Sequence, residues 1–271
     1  MDRTNPTGLK KYASPWPLPA LRWGLVVSLV ALWELAARFS AIDIYFFSSP
    51  GRIAGNVLVW LEGGFVFKHL VVTLAEAGVG FASGLLLGIT IGFLFAANPR
   101  VDAVLQPFIA IMNAMPRIAF APLIILWFGF GFLSKVVIVI SLVFFVVFFN
   151  TYRGFKEISP VLLKNAAVLG ATRGQVLRHI YLPATVSWTF ASLRVSVGFA
   201  IIAAILGEYI GASAGIGFLI DNAQANFDAT GVMTGLALLT IVVAILDALL
   251  LRVEARFTKW RVNNQIMEGR I

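Results

Sequence analysis

The sequence predicts an all-α integral membrane protein of about six transmembrane helices. Three observations carry that prediction. Of the 271 residues, 59% are hydrophobic and only 13% charged, a balance that a water-soluble globule of this length cannot hide. The apolar residues fall into stretches long enough to supply the ~20 residues that cross a hydrocarbon core of about 30 Å. The basic residues behind the net charge of +8 stand in short runs between those stretches, which points to a membrane surface and away from nucleic acid. The chain has no cysteine, so disulfides, thiolate catalysis and Cys-ligated metal centres are excluded, and only His69 and His179 offer imidazole.

Residues 1–17 read as a polar cytoplasmic tail and 18–271 as the membrane domain. Pro15, Pro17 and Pro19 hold off an earlier helix start, and the first span is expected from about Leu18 to Phe39. A cleaved signal peptide is the competing reading of this segment, but the apolar stretch is longer than a signal core. Later spans are expected at about 70 to 97, 101 to 128, 136 to 152, 184 to 206 and 232 to 251. The second carries Gly80, Gly84, Gly88 and Gly92 at a constant spacing of four, a stripe on which another helix packs closely, either within the subunit or across a dimer. The third contains Pro107, Pro116 and Pro122 and should be kinked or broken. In the fourth, Phe144, Phe145, Phe148 and Phe149 cluster, facing lipid or a cavity.

Cytoplasmic connections hold an excess of Lys and Arg. With the amino terminus inside, fifteen basic residues fall on the inner side and four, Arg38, Arg52, Lys68 and Lys135, on the outer. Both termini are therefore expected in the cytoplasm, with the connection from about 150 to 183 the largest on that side. Ionisable residues within spans, namely Glu34, Glu76, Arg117, Arg194, Glu208 and Asp247, require explanations. Glu34 can pair with Arg38 one turn on, Arg194 lies near enough to the inner end to snorkel, and Asp247 can pair with Arg252 or reach the inner interface. Glu208 sits at an outer end. Arg117 follows Pro116 inside an apolar sequence, where it can line a pathway or serve carbonyls freed by the broken helix.

The inner connection reads EISPVLLKNAAVLGATRGQVLRHIYLP. Ser159 and Pro160 suit a helix start, Gly170 suits the left-handed residue that ends it, and Thr172 with Gln175 forms a capping-box pattern for a second helix. Pro183 can open the fifth span. Val161, Leu162, Ala166 and Leu169 form an apolar side, while Ala166, Ala167 and Gly170 offer little bulk. Such a segment either admits a partner close to its backbone or lies on lipid as an interfacial helix.

These residues resemble the cytoplasmic signature of ABC-importer permeases: Glu-Ala-Ala, three residues, Gly, nine residues, Ile, any residue, Leu, Pro. Ala166, Ala167, Gly170, Ile180, Leu182 and Pro183 are read onto it, with Asn165 standing where the Glu would be. Three further stretches are similar to the permeases of the nitrate, sulfonate, taurine and bicarbonate importers: MPRIAFAPLIILWFG from Met115, SLRVSVGFA from Ser192 and GEYIGASAGIGFLI from Gly207. Relatives often carry an Asp near Gly231, which this chain replaces, with Asp228 nearby.

The resemblance implies a five-helix importer-permease core (MetI-like) plus one N-terminal helix, with a cytoplasmic coupling helix between spans 4 and 5. Segment 157–183 would be the coupling segment, with Asn165, Ala166, Ala167, Gly170 and Ala171 docking on an ATPase subunit and Ile180, Leu182 and Pro183 as framework. Arg117 and Glu208 are the candidates for the translocation pathway. The implied partners are a second permease copy, two ATP-binding cassette subunits, an extracytoplasmic solute-binding protein and the lipid bilayer of the bacterial inner membrane. No Gly-Lys-Ser or Gly-Lys-Thr phosphate loop is present, so ATP and Mg are expected in the partner subunits and no cofactor in this chain. The implied cargo is a small solute, first a sulfonate, taurine or nitrate, with an aromatic vitamin or pyrimidine precursor as the alternative. A passive channel would need no docking helix, and a membrane enzyme would need clustered acid, base or metal-binding side chains that the sequence lacks.

Overall fold

The computed structural model describes residues 18–257. The tail 1–17 and the basic residues Lys259, Arg261 and Arg270 lie outside them. Five helices are long and apolar enough to span a membrane: α1 (Leu18–Arg38), α4 (Phe65–Ala97), α7 (Phe132–Lys156), α10 (Leu182–Ile210) and α12 (Ala229–Phe257). A further pair, α5 (Pro99–Ala114) and, after a 3₁₀ turn at Arg117–Phe120, α6 (Ala121–Phe128), is long and apolar enough to span when taken together and is bent by 82°. Shorter helices connect them: α2 (Ile44–Phe47), α3 (Pro50–Glu62), α8 (Pro160–Val168), α9 (Arg173–Val176) and α11 (Ile216–Ala225). The five unbroken helices lie where spans were expected, the bent pair α5 and α6 covers the expected third, and several run a turn or so further than their hydropathy suggested.

Local chemistry sets the starts. Asn98 accepts from the amides of Arg100 and Val101 ahead of Pro99, the first residue of α5. Ser49 accepts from Arg52 at the start of α3, and Asp228 from Gly231 at the start of α12. The last contact gives Asp228 a capping task.

Helix α7 lies at the centre, with α4 and α10 packed on it. Their shared core joins Ile138, Val139, Leu142, Val143 and Val147 to Ala200, Ile201, Ala203 and Ala204 of α10. The glycine stripe of α4 makes the close approach possible. Its period of four matches that of the facing residues, so Gly80 meets Val139, Gly84 meets Val143, Gly88 meets Val147 and Gly92 meets Thr151. The stripe therefore packs within the subunit. A methyl group on Gly88 would stand 2.8 Å from the Val147 Cβ and 2.9 Å from the Phe144 carbonyl oxygen, and backbone cannot yield as a side chain can. Gly88→Leu should abolish the yield of monodisperse protein extracted in detergent, through overpacking of several kcal/mol, above the ~1–3 kcal/mol usual for one inserted group. Gly78→Leu, where an added Cβ meets nothing within 4 Å, should leave it near wild type; equal yields would refute the packing argument.

Helix α1 is peripheral, and the ion pair of Glu34 and Arg38 at 2.8 Å forms as expected. Glu34 also accepts from the Gly51 amide at 2.9 Å, which pins α1 to α3. Hydropathy missed α3 because it is too short to span. It is anchored to α12 by Asn56 and Thr234 at 3.0 Å, with Ser48 and Thr230 at 2.9 Å just before it. Asp247 pairs with Arg194 across two helices at 2.6 and 2.7 Å, where Arg252 or the interface was expected. The two-pronged guanidinium matches a carboxylate, an arrangement that a sequence neighbour one turn away cannot outdo.

Candidate functional site: the α8–α9 connection, the broken helix pair and the α11 latch

The connection between α7 and α10 folds as two helical pieces. Pro160 is the first residue of α8, although the Ser159 hydroxyl makes no capping bond. Helix α8 ends in a left-handed Gly170, φ +72°. The amide of Gly170 donates to the Ala167 carbonyl and that of Ala171 to Ala166, each at 3.0 Å, so two end carbonyls are satisfied by one tight turn. Thr172 and Gln175 then form the reciprocal capping box of α9.

Helix α9 does not stop before the fifth span. It continues through a π turn, Leu177–Tyr181, into α10. Pro183, second in α10, brings no amide, and its ring would crowd the carbonyl four residues back; widening the preceding turn relieves that conflict. Tyr181 stacks on Phe155 of α7 at 4.1 Å, fixing the segment to the bundle. Asn165, Ala167, Gly170, Leu182 and Pro183 are exposed and Ala166, Ala171 and Ile180 half-buried. The most exposed apolar residues are Val168, 87%, and Leu169, 85%; the sequence reading had included only Leu169.

The signature frame also shifts by one. Three residues counted back from Gly170 place its second Ala on Ala166, so Asn165 takes the first Ala position and Lys164 the Glu position. A basic residue, not an amide, replaces the carboxylate.

At the broken span, Pro116 deprives the Met112 carbonyl of its helical partner. The Arg117 Nη2 group donates to that oxygen at 2.9 Å and to Asn113 at 3.4 Å. The Phe145 and Phe149 rings cover the guanidinium, 4.5 and 5.7 Å from its carbon, so part of the Phe cluster faces inward. Arg117 Nε is buried without a partner, and the side chain borders a cavity of about 230 Å³.

Glu208 is elsewhere. It is 1% exposed and accepts from Thr73 Oγ1 at 2.6 Å and from the Gly217 amide at 2.7 Å. Thr73 in turn accepts from the Ile216 amide at 2.9 Å, and His69 Nδ1 from Gly215 at 3.0 Å. Three successive amides at the start of α11 are thus held by side chains of α4 and α10. Lys135, assigned to an outer loop from sequence, is instead 1% exposed in the first turn of α7. Its ammonium donates to the carbonyls of Phe130 and Gly211, the latter at 2.6 Å. Glu76, 3% exposed, lies beside both Glu208 and Lys135. This latch was missed because its members come from four distant segments; the signals available in the sequence were Glu76 and Glu208, two acids inside spans without a base within a turn.

Among the described residues no group of His, Asp and Glu could hold a metal ion. Residues 84–259 match the family described as binding-protein-dependent transport system inner membrane component. The chain is 32% identical over 233 residues to a formylaminopyrimidine transport permease protein of Halalkalibacterium halodurans, covering 86% of this chain and 92% of that one. It is 28% identical to a taurine transport system permease protein of Escherichia coli, over 90% and 92% of the two chains. A putative aliphatic sulfonates transport permease protein of Bacillus subtilis is also 28% identical, over 86% and 84%. In fold it is similar to a chain of an amino acid ABC transporter, TM-score 0.57, 18% identity, 73% and 96% covered. A chain of an inward-facing methionine ABC transporter gives 0.53, 21%, 72% and 94%. The chain belongs to the binding-protein-dependent transport system inner membrane component family and is a multi-pass permease subunit of an ABC importer.

Proposed function

We propose that this permease pairs with a second copy to form the pathway for a small solute, and that its exposed α8–α9 segment couples the pathway to ATP-hydrolysing partner subunits. The observation that carries the coupling reading is the bare tip of α8. Val168 and Leu169 project beside small residues and a left-handed glycine, an apolar knob that a soluble protein surface would bury. Lys164 is exposed beside them and adds a charge for a partner carboxylate. An extracytoplasmic binding protein delivers the solute on the opposite face. The first-choice cargo is a sulfonate, taurine or nitrate; the similarity to a formylaminopyrimidine permease and the phenylalanines around Arg117 favour a pyrimidine precursor as the second reading. Purification from native membranes through a tag on this chain tests the assembly: an ATP-binding cassette protein should copurify, and its absence from an intact preparation would refute the coupling role.

The same reading puts both termini and α8 in the cytoplasm. In this cysteine-free chain, a single cysteine at Lys164 should resist an impermeant thiol reagent applied to intact cells, whereas one at Asn222, beside Asp221, should react. Labelling of Lys164→Cys from outside would overturn the orientation.

A further inference from the structure

At the end of the bundle opposite α8 and α9, the short helix α2 lies against the start of α12, and a cavity of about 290 Å³ opens between them. Its walls include Tyr45 and Phe46 of α2, Phe227 and Asp228 of the turn after α11, and Val232 and Met233 of α12, with Asp228 the one charged member. The Tyr45 and Phe46 rings stand 5.1 Å apart at 88°, two aromatic walls set at a right angle. The bond between Ser48 and Thr230, 2.9 Å, holds α2 in place beside α12. Phe227 carries two costs. Its backbone lies at φ +56°, in the left-handed region that bulky side chains avoid, and 73% of its surface is exposed. A turn ending a helix in this way takes Gly or Asn without that strain, so the fold does not require the ring. Asp228 uses Oδ1 to cap α12 and pairs with no base among the described residues.

We propose that this cavity holds the ammonium headgroup of a membrane phospholipid such as phosphatidylethanolamine. Aromatic faces attract a cation, and the unpaired side of the Asp228 carboxylate supplies its counter-charge. A headgroup without an ammonium gains from neither. The source is a lipid and not a free amine for two reasons. Tyr45, Phe46 and Phe227 follow or precede the ends of the spanning helices α1 and α12 by a few residues, the level at which aromatic rings border a bilayer. Val232 and Met233 lead onto α12, of whose apolar stretch only 17% is buried, which leaves a track for acyl chains below the headgroup.

The test gives the tagged native complex, purified in detergent, an equimolar mixture of phosphatidylethanolamine and phosphatidylglycerol with identical acyl chains and counts bound lipid by native mass spectrometry. Phosphatidylethanolamine should be retained over phosphatidylglycerol by on the order of fivefold. Glycerophosphoethanolamine, the same headgroup without chains, should not displace it at equal concentration. Asp228→Asn keeps an N-cap of equal quality and removes the charge, so the yield of folded complex should hold while the preference is lost. Phe227→Gly should also lose the preference, without lowering the thermal midpoint, because glycine adopts the left-handed backbone freely. Equal retention of the two lipids by the wild type, displacement by the free headgroup, or an unchanged preference in folded Asp228→Asn would each overturn the site. A lowered midpoint in Phe227→Gly would return that ring to the fold and overturn its role here.

Discussion

Lys135→Met should remove most of the folded protein from the membrane, because the ammonium it deletes satisfies two buried carbonyls and faces two buried carboxyls. Lys135 donates to Phe130 and Gly211 and lies beside Glu76 and Glu208. Taking one partner from a buried charged cluster costs about 3–5 kcal/mol, a large share of the whole stability of a domain. The loss should appear as a drop in detergent-extracted yield and in the thermal midpoint. Glu76→Gln is the contrasting case: it keeps the shape and leaves one carboxyl facing one ammonium, so it should remain close to wild type. Adding Glu76→Gln to Lys135→Met should recover part of the loss, since it removes one of the two carboxyls left facing no base. A Lys135→Met protein with the wild-type midpoint would show that the cluster holds nothing together.

Gly170→Arg should leave the subunit inserted and folded but abolish both uptake and ATPase copurification. An added Cβ meets no atom within 4 Å, so steric disruption inside the subunit is absent. The substitution forces a branched backbone position to φ +72°, a local cost of about 1–2 kcal/mol, and plants a long cation beside the apolar tip of α8. Gly170→Ala carries the same backbone cost without the charge and should fall between wild type and Gly170→Arg. Reconstituted vesicles would report uptake per assembled complex. Wild-type values for both readouts in a stable Gly170→Arg protein would remove the coupling assignment.

Sequence and structure divide the remaining knowledge along physical lines. The spans, the packing stripe of α4, the break near Pro116 and the turn at Gly170 were legible because each follows from a few adjacent residues: an apolar run, a repeat of four, an absent amide, a missing Cβ. The signature at Gly170, Ile180, Leu182 and Pro183 was legible for the same reason, although its frame was misread by one position until counted back from the glycine. Helices α3 and α11 were invisible, being too short for a hydropathy signal. The continuous π turn before Pro183 was also hidden, since a proline reads locally as a helix start.

Side-chain partnerships followed a different rule. Glu34 found Arg38 because the two are four residues apart on one helix, a spacing the sequence displays. Asp247 found Arg194, 53 residues away, and Lys135 found Gly211, 76 residues away, choices that depend on which helix faces end up in contact. Of the two roles expected for Arg117, its contacts display the one toward the freed carbonyls, served through Nη2. The sequence by itself determined that this chain is a membrane permease of about six apolar spans with a helix–turn–helix connection before the fifth, because apolar length, motif spacing and turn chemistry are local quantities. Only the tertiary structure decided which charges are latched and where α11 is held, because a charge in a membrane takes the partner that packing brings nearest, regardless of its distance along the chain.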